Sequence, residues 1–168
     1  MNLIFSADRN WGIGRDNQLL FRVKEDMAFF RAMTTGKVVV MGRKTLASLP
    51  GAKPLPHRDN IVLTRNSSFE QPGVAACASL PDLFALLSGC SDDNIFVIGG
   101  QEIYTQLMPY CGLAYITRFD AVGDADSFVP NFDADANWQL TRKSQVRTQG
   151  DLCYTFCTYT QQNPKAWR

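Results

Sequence analysis

Val38-Val39-Val40-Met41-Gly42-Arg43-Lys44-Thr45 and Ile95-Phe96-Val97-Ile98-Gly99-Gly100-Gln101-Glu102 follow one plan. Each opens on an unbroken apolar run rich in β-branched residues, which suits a strand covered on both faces. Each then breaks at glycine and enters a helix-forming stretch. Working outward, further short apolar runs predict strands at Leu3–Ala7, Lys37–Met41, Asn60–Thr64, Val74–Cys77, Asn94–Ile98, Ala114–Phe119 and Leu152–Thr160. Helices are predicted between them at Lys24–Met33, Lys44–Leu49, Leu80–Leu87 and Gln101–Met108. Ser79 before Leu80-Pro81-Asp82 is a helix start, and Pro109 is expected to stop the last helix. Strand–helix alternation up to residue 110 implies parallel strands with right-handed crossovers. Beyond it no strong helix appears, and the last strands are expected antiparallel at the sheet edge. The connection holding Asp120, Asp124, Asp126, Asp133 and Asp135 reads as a solvated loop.

The 168 residues suffice for one domain, expected over 1–160 with an exposed tail over 161–168. Folding at this size removes roughly 70% of the unfolded chain's surface from water, so no metal or disulfide staple is needed. Lys plus Arg number 17 and Asp plus Glu 16, a formal charge of +1, which argues against a nucleic-acid or membrane-surface protein. Apolar residues at 45% and charged residues at 20% exclude disorder, collagen and coiled coil. Cys77, Cys90, Cys111, Cys153 and Cys157 contain no C-x-x-C pair and read as reduced thiols, with Cys153 and Cys157 on one strand face. With one histidine, His57 in a polar turn, a multi-histidine metal centre is excluded. No apolar run is long enough to span a membrane, and Met1–Asp8 lacks a basic leader, so the expected location is the cytoplasm.

One residue is out of place. Wound at 3.6 residues per turn, Lys24–Met33 puts Val23, Asp26, Met27, Phe30 and Met33 on one stripe. Burying an ionised carboxylate costs several kcal/mol unless something compensates. Asp26 is either a partly solvated first-turn acid favoured by the helix dipole, or an acid in an apolar cleft awaiting a hydrogen-bond-donating ligand.

Open parallel sheets bind ligands outside the carboxyl ends of their strands. Three such ends suit an anion. Gly42-Arg43-Lys44-Thr45 offers a glycine, two cations and a hydroxyl; Thr64-Arg65 follows Leu63; and Gly99-Gly100 lets backbone approach a pyrophosphate closely. No acid stands where a ribose 2′-hydroxyl would need one, so Arg43, Lys44 and Arg65 favour a 2′-phosphate, hence NADPH over NADH. The G-x-G-x-x-G fingerprint is absent.

Together these stretches resemble dihydrofolate reductases. The resemblance runs from Leu3 to about Tyr159 through Ile13-Gly14-Arg15-Asp16-Asn17, Asp26 with Phe29-Phe30, Val40–Thr45, Pro54-Leu55-Pro56 with Arg58 and Asn60, Ile98-Gly99-Gly100 with Tyr104, Thr117, and Asp126 with Pro130. It implies a single-domain α/β fold: an eight-stranded, mostly parallel sheet with an antiparallel C-terminal edge and helices on both faces. It also implies NADPH-dependent reduction of dihydrofolate to tetrahydrofolate, in support of one-carbon metabolism and thymidylate synthesis, and an antifolate target. By position, Asp26 resembles the pterin-binding carboxylate and Thr117 the hydroxyl bonded to it. Ile4, Phe5, Phe30, Leu49, Leu55 and Ile98 resemble the apolar walls, and Arg58 the partner of the substrate's α-carboxylate. Ser6, Ile13, Gly14 and Leu19 match positions around the nicotinamide. Gly42, Arg43, Lys44, Thr45, Leu63, Thr64 and Arg65 match the adenosine-phosphate end. Gly99, Gly100, Gln101, Glu102 and Ile103 match the pyrophosphate turn, with Ile98 beside it, and Tyr104 the aromatic near the nicotinamide. No metal and no macromolecular partner is implied, and a monomer is expected. Asp8–Leu19 resembles the mobile loop that closes over the site, with Trp11 as its anchor.

The chain departs from the common bacterial pattern. Leu20-Phe21 stands for Pro-Trp, Lys24 for the proline before the acid, and the turn Leu49–Lys53 is longer. A basic residue near Ala78 is missing, which leaves more of that charge to Arg65. Two other readings are a reductase of related fold acting on another heterocycle, such as the pyrimidine reductase of riboflavin synthesis, and a non-catalytic NADPH-binding module. Asp26 with Thr117 and Arg58 favours the pterin over the first, which would want a sugar-phosphate site, and the second needs Asp26 to be structural.

Overall fold

A computed structural model describes residues 1–168. The strands are β1 (Asn2–Ala7), β2 (Gly12–Gly14), β3 (Val38–Gly42), β4 (Asp59–Leu63), β5 (Val74–Cys77), β6 (Ile95–Gly99), β7 (Leu113–Phe119), β8 (Ser127–Phe128), β9 (Trp138–Lys143), β10 (Arg147–Gln149) and β11 (Leu152–Gln161). The helices are α1 (Lys24–Thr34), α2 (Arg43–Ser48), α3 (Leu80–Leu87) and α4 (Gln101–Leu107). Ser79 caps α3, its hydroxyl accepting from the Asp82 N–H, as its sequence predicts. Pro109 lies inside a 3-10 turn, Met108–Tyr110, that follows α4 rather than ending it abruptly.

The main sheet runs β10-β11-β7-β1-β6-β3-β4-β5, with β9 also on β11. β1, β3, β4, β5, β6 and β7 are parallel to their neighbours within this set, and β11 is antiparallel to β7. Tyr154 pairs with Phe119 on one side and Arg147 on the other, while Cys157 pairs with Ile116 and Lys143. β10 and β9 therefore lie end to end along one edge of β11. The sheet is eight positions wide, as expected, but holds nine strands. Four strands escape the sequence reading. β2 and β8 form a separate two-stranded ribbon, and all of β10 and most of β9 are exposed and polar, with no alternation to read.

The two-faced reading of the central runs holds. Val38 and Val40 pack in one cluster with Leu3, Val97 and Ile116, while Val39 and Met41 pack across the sheet with Ile4, Val62 and Phe96. The terminal segment over 161–168 is mostly exposed, as expected, but it is pinned to the domain. Gln161 completes β11, the Lys165 N–H donates to the Pro109 carbonyl, Trp167 packs on Phe84 and Arg168 pairs with Asp92. The Asp-rich connection is solvated, as expected, with Asp120, Asp124, Asp126 and Asp133 exposed, and it carries surface ion pairs. Asp120 pairs with Arg9 and Asp124 with Arg15, each at 2.6 Å, and Asp133 accepts from the Tyr159 hydroxyl at 2.6 Å. Cys157 is buried and Cys153 half-buried, and all five thiols are free.

Candidate active site

The cleft begins where two neighbouring strands separate. β1 pairs with β7 along its whole length but with β6 only at Asn2 and Leu3. Beyond that point Ile4-Phe5-Ser6 and Ile98-Gly99-Gly100 diverge and line the two sides of one cavity of about 1110 Å³. The carboxyl ends of β3 and β4 continue it with Gly42–Thr45 and Leu63-Thr64-Arg65.

Asp26 lies in the first turn of α1 and is 9% exposed. Thr117, on β7 and 1% exposed, donates from Oγ1 to Asp26 Oδ1 at 2.6 Å. Burial raises the Asp26 pKa above the ordinary carboxylate range, and the Thr117 hydroxyl pulls it partly back. Asp26 is thus a first-turn acid that is buried at the wall of the cavity rather than partly solvated. The stripe around it is uneven: Val23 is fully buried, Phe30 and Met33 are half-buried, and Met27 is 43% exposed because it faces the open cavity.

The glycine turn is closely fitted. Gly99 has φ +118°, and the Gly99–Gly100 peptide is cis. A Cβ on Gly99 would meet the Tyr104 ring at 3.2 Å, and one on Gly42 would meet Ile103 at 3.1 Å. The buried Tyr104 hydroxyl donates to the Ile4 carbonyl at 3.0 Å and ties α4 to β1 across the gap. Backbone laid this close, beside Arg43, Lys44 and Arg65 and the hydroxyls of Thr45 and Thr64, fits a dinucleotide with a phosphate-bearing adenosine.

Nearly all of the expected site residues share this one cavity. Ile4, Phe5, Ser6, Ile13, Gly14, Leu19, Asp26, Phe30, Leu49 and Thr117 line it together with the cofactor-end residues, Gly42–Thr45, Leu63–Arg65 and Ile98–Tyr104. Leu55 and Arg58 do not. Leu55 packs behind the wall with the cluster containing Phe30 and Leu49. The Arg58 guanidinium donates to Thr34 Oγ1 at 3.1 Å, to the Pro56 carbonyl at 2.6 Å and to the Arg31 carbonyl at 3.3 Å. The carbonyl end of α1 draws it there, as helix C-termini draw cations. The cavity also takes in Gln18, Arg22, Met27, Phe29 and Ser127, none of which the sequence singled out as wall residues. Met27 already stands on the Asp26 stripe, and Phe29, three residues after Asp26 on the same helix, could have been found by the same spacing.

The sequence reading also missed Asp8, which is 1% exposed. Its Oδ1 accepts from the Asn10 and Gly12 N–H groups at 2.8 Å, and its Oδ2 from the Gly123 N–H at 2.9 Å. Asp126 Oδ2 accepts from the Asp16 N–H at 2.9 Å. Together they fasten segment 8–19 to segment 120–126. Trp11 anchors that loop as expected: it is 5% exposed, stacks on Phe132, and lies 3.6 Å beneath the Arg118 guanidinium. Phe21, in the position of the common tryptophan, packs on Phe119.

The family model for dihydrofolate reductase matches residues 1–161. A dihydrofolate reductase of Bacillus subtilis is 36% identical over 97% of this chain and 95% of its own length. One of Haemophilus influenzae is 38% identical over 94% of this chain and 97% of its own. Among solved structures, a dihydrofolate reductase from Enterococcus faecalis complexed with NADP(H) and RAB-propyl superposes with a TM-score of 0.85. It is 26% identical and covers 96% of this chain and 95% of its own.

Proposed function

This chain belongs to the dihydrofolate reductase family, and from that premise we propose how its own residues divide the work. The protein reduces dihydrofolate to tetrahydrofolate with NADPH. The observation that carries the assignment of roles is the buried Asp26–Thr117 pair at the divergence of β1 and β6.

Asp26 is the pterin-binding acid. Its carboxylate accepts hydrogen bonds from the ring amide and the amino group, and Thr117 holds one of its oxygens in place. When bound, NADPH supplies the hydride. The ring imine accepts hydride readily only when protonated, and a buried negative charge raises its proton affinity because water is excluded. Asp26 acts through its field; the proton comes by way of water. Phe21 has no ring N–H to hold that water. Ile4, Phe5, Phe30, Leu49 and Ile98 form the apolar walls, and Leu55 supports them from behind.

Arg43, Lys44, Thr45, Thr64 and Arg65 take the adenosine phosphates, and Gly99 to Ile103 the pyrophosphate. Ser6, Ile13, Gly14 and Leu19 surround the nicotinamide, with Tyr104 holding β1 beside it. Arg58 serves the substrate's α-carboxylate, reaching it by a change of rotamer from its seat at the end of α1. The loop over 8–19 excludes water when closed. Residues 1–160 act as one domain, which works as a cytoplasmic monomer; the five free thiols fit a reducing compartment.

The test is NADPH oxidation that depends on added dihydrofolate, followed by absorbance, with wild type and Asp26→Asn side by side. Dihydrofolate-dependent turnover that Asp26→Asn loses is expected. Turnover unchanged by the substitution would refute the assignment.

A further inference from the structure

Helix α1 starts without a cap of its own. Val23 occupies the N-cap position with an extended backbone, φ −115° and ψ 128°, and offers no side-chain oxygen to the first turn. The acid lies in that uncapped turn. Lys24, the first helical residue, brings an N–H that needs a partner.

That partner comes from the other end of the chain. Gln149 Oε1 accepts the Lys24 N–H at 2.9 Å, and Gln149 Nε2 donates to the Arg22 carbonyl at 3.4 Å. Two residues earlier on β10, Arg147 Nη1 donates to Glu25 Oε1 at 2.5 Å. Tyr154, its register partner on β11 and only 2% exposed, donates to Glu25 Oε2 at 2.7 Å. The β10–β11 hairpin thus grips Arg22, Lys24 and Glu25, and Asp26 follows directly. Gln149, Arg147 and Tyr154 do not line the cavity.

We propose that Gln149, assisted by Arg147 and Tyr154, is a positioning residue for Asp26: the hairpin supplies the cap that residues 22–25 lack and so sets where the carboxylate stands. Thr117 restrains the side chain, and the hairpin restrains the backbone that carries it. A misplacement of about 1 Å can cost roughly 10²-fold in rate. The Gln149 bonds are exposed, so water replaces them in part, and the expected loss is about fivefold, the value of one ordinary hydrogen bond.

Proline at Lys24 provides the rescue. The first helical position accepts it, and the extended backbone of Val23 is the one that precedes proline readily. Lys24→Pro removes the N–H that needs Gln149 and presets φ. The full-length Gln149→Ala, Lys24→Pro and double variants are compared by single-turnover hydride transfer, dihydrofolate KM, NADPH Kd and Tm. Gln149→Ala is expected to slow hydride transfer about fivefold, with NADPH Kd within about twofold. Lys24→Pro keeps the wild-type rate, and the double variant stays within about twofold of it. A wild-type rate in Gln149→Ala, or a loss equally large with proline present, overturns the proposal. Should Gln149→Ala not fold, Arg147→Leu is measured in its place: slower hydride transfer at unchanged NADPH Kd supports the proposal, and a wild-type rate overturns it. The proposal rests on Asp26 being the pterin-binding acid. An Asp26→Asn variant at wild-type rate defeats that reading, whereas a rate that needs Asp26 but ignores the hairpin defeats this proposal alone.

Discussion

Thr117→Val tests the acid through its partner and leaves the acid itself in place. Valine has the shape of threonine without its hydroxyl, and Thr117 is 1% exposed, so packing is preserved and the change is electrostatic. What is lost is the donation from Thr117 Oγ1 to Asp26 Oδ1 at 2.6 Å. A hydrogen bond to a charged group contributes about 1.5–3 kcal/mol. At 1.36 kcal/mol per tenfold, that is roughly a 10- to 150-fold shift of the Asp26 protonation equilibrium toward the neutral form. The hydroxyl holds the Asp26 pKa down against burial, so its removal drives that pKa further up. The ionised form is the working one, so the acid limb of the hydride-transfer profile should move to higher pH, and the rate at neutral pH should fall. Stability follows the same sign. The bond favours the charged folded state, so Thr117→Val should unfold more easily at neutral pH, and its deficit should shrink as pH falls and the carboxyl protonates. Single-turnover rates across pH, with thermal melts at each pH, measure both. A profile superimposable on wild type would refute the claim that Thr117 holds the charge on Asp26.

Three further substitutions separate the parts of the site. Asp26→Asn should cut hydride transfer by about 10²-fold or more at unchanged NADPH Kd, on the scale of acid–base effects. It should also raise the Tm of the ligand-free protein at neutral pH. A raised folded pKa means that ionised Asp26 costs stability as pH climbs past the unfolded carboxyl's value near 3.9, so the gain should vanish in melts below that; a lower Tm at pH 7 would contradict the burial argument. Arg65→Ala should narrow the preference for NADPH over NADH by about tenfold or more, since one charge-assisted contact contributes roughly 1.5–3 kcal/mol; an unchanged kcat/KM ratio would place the 2′-phosphate elsewhere. Arg58→Leu should raise dihydrofolate KM and leave NADPH Kd alone, and an unaltered KM would mean that Arg58 only closes the end of α1.

What the chain discloses in advance depends on how local the physical cause is. The central strands were legible because burial on both faces demands unbroken apolar runs, and Val38–Met41 and Ile95–Ile98 supply them. Asp26 was legible as an anomaly, a charge on an apolar stripe. Asp8 was not, although it is more deeply buried, because its compensation comes from backbone N–H groups, including that of Gly123, which leave no mark on a residue pattern. β9 and β10 were invisible for a related reason: an edge strand with exposed faces is specified by its neighbour's free edge, here that of β11. Arg58 exposes the limit of reasoning by position. Resemblance puts it at the substrate's carboxylate, yet the guanidinium is held by the Pro56 carbonyl, the Thr34 hydroxyl and the Arg31 carbonyl at the end of α1. An acid bearing on chemistry is therefore held by two kinds of contact. One, the Thr117 hydroxyl, could be named in advance only through the family resemblance, by its position in the chain. The other, the hairpin's hold on Lys24 and Glu25, becomes visible only when residues 22–25 and 147–154 are seen side by side.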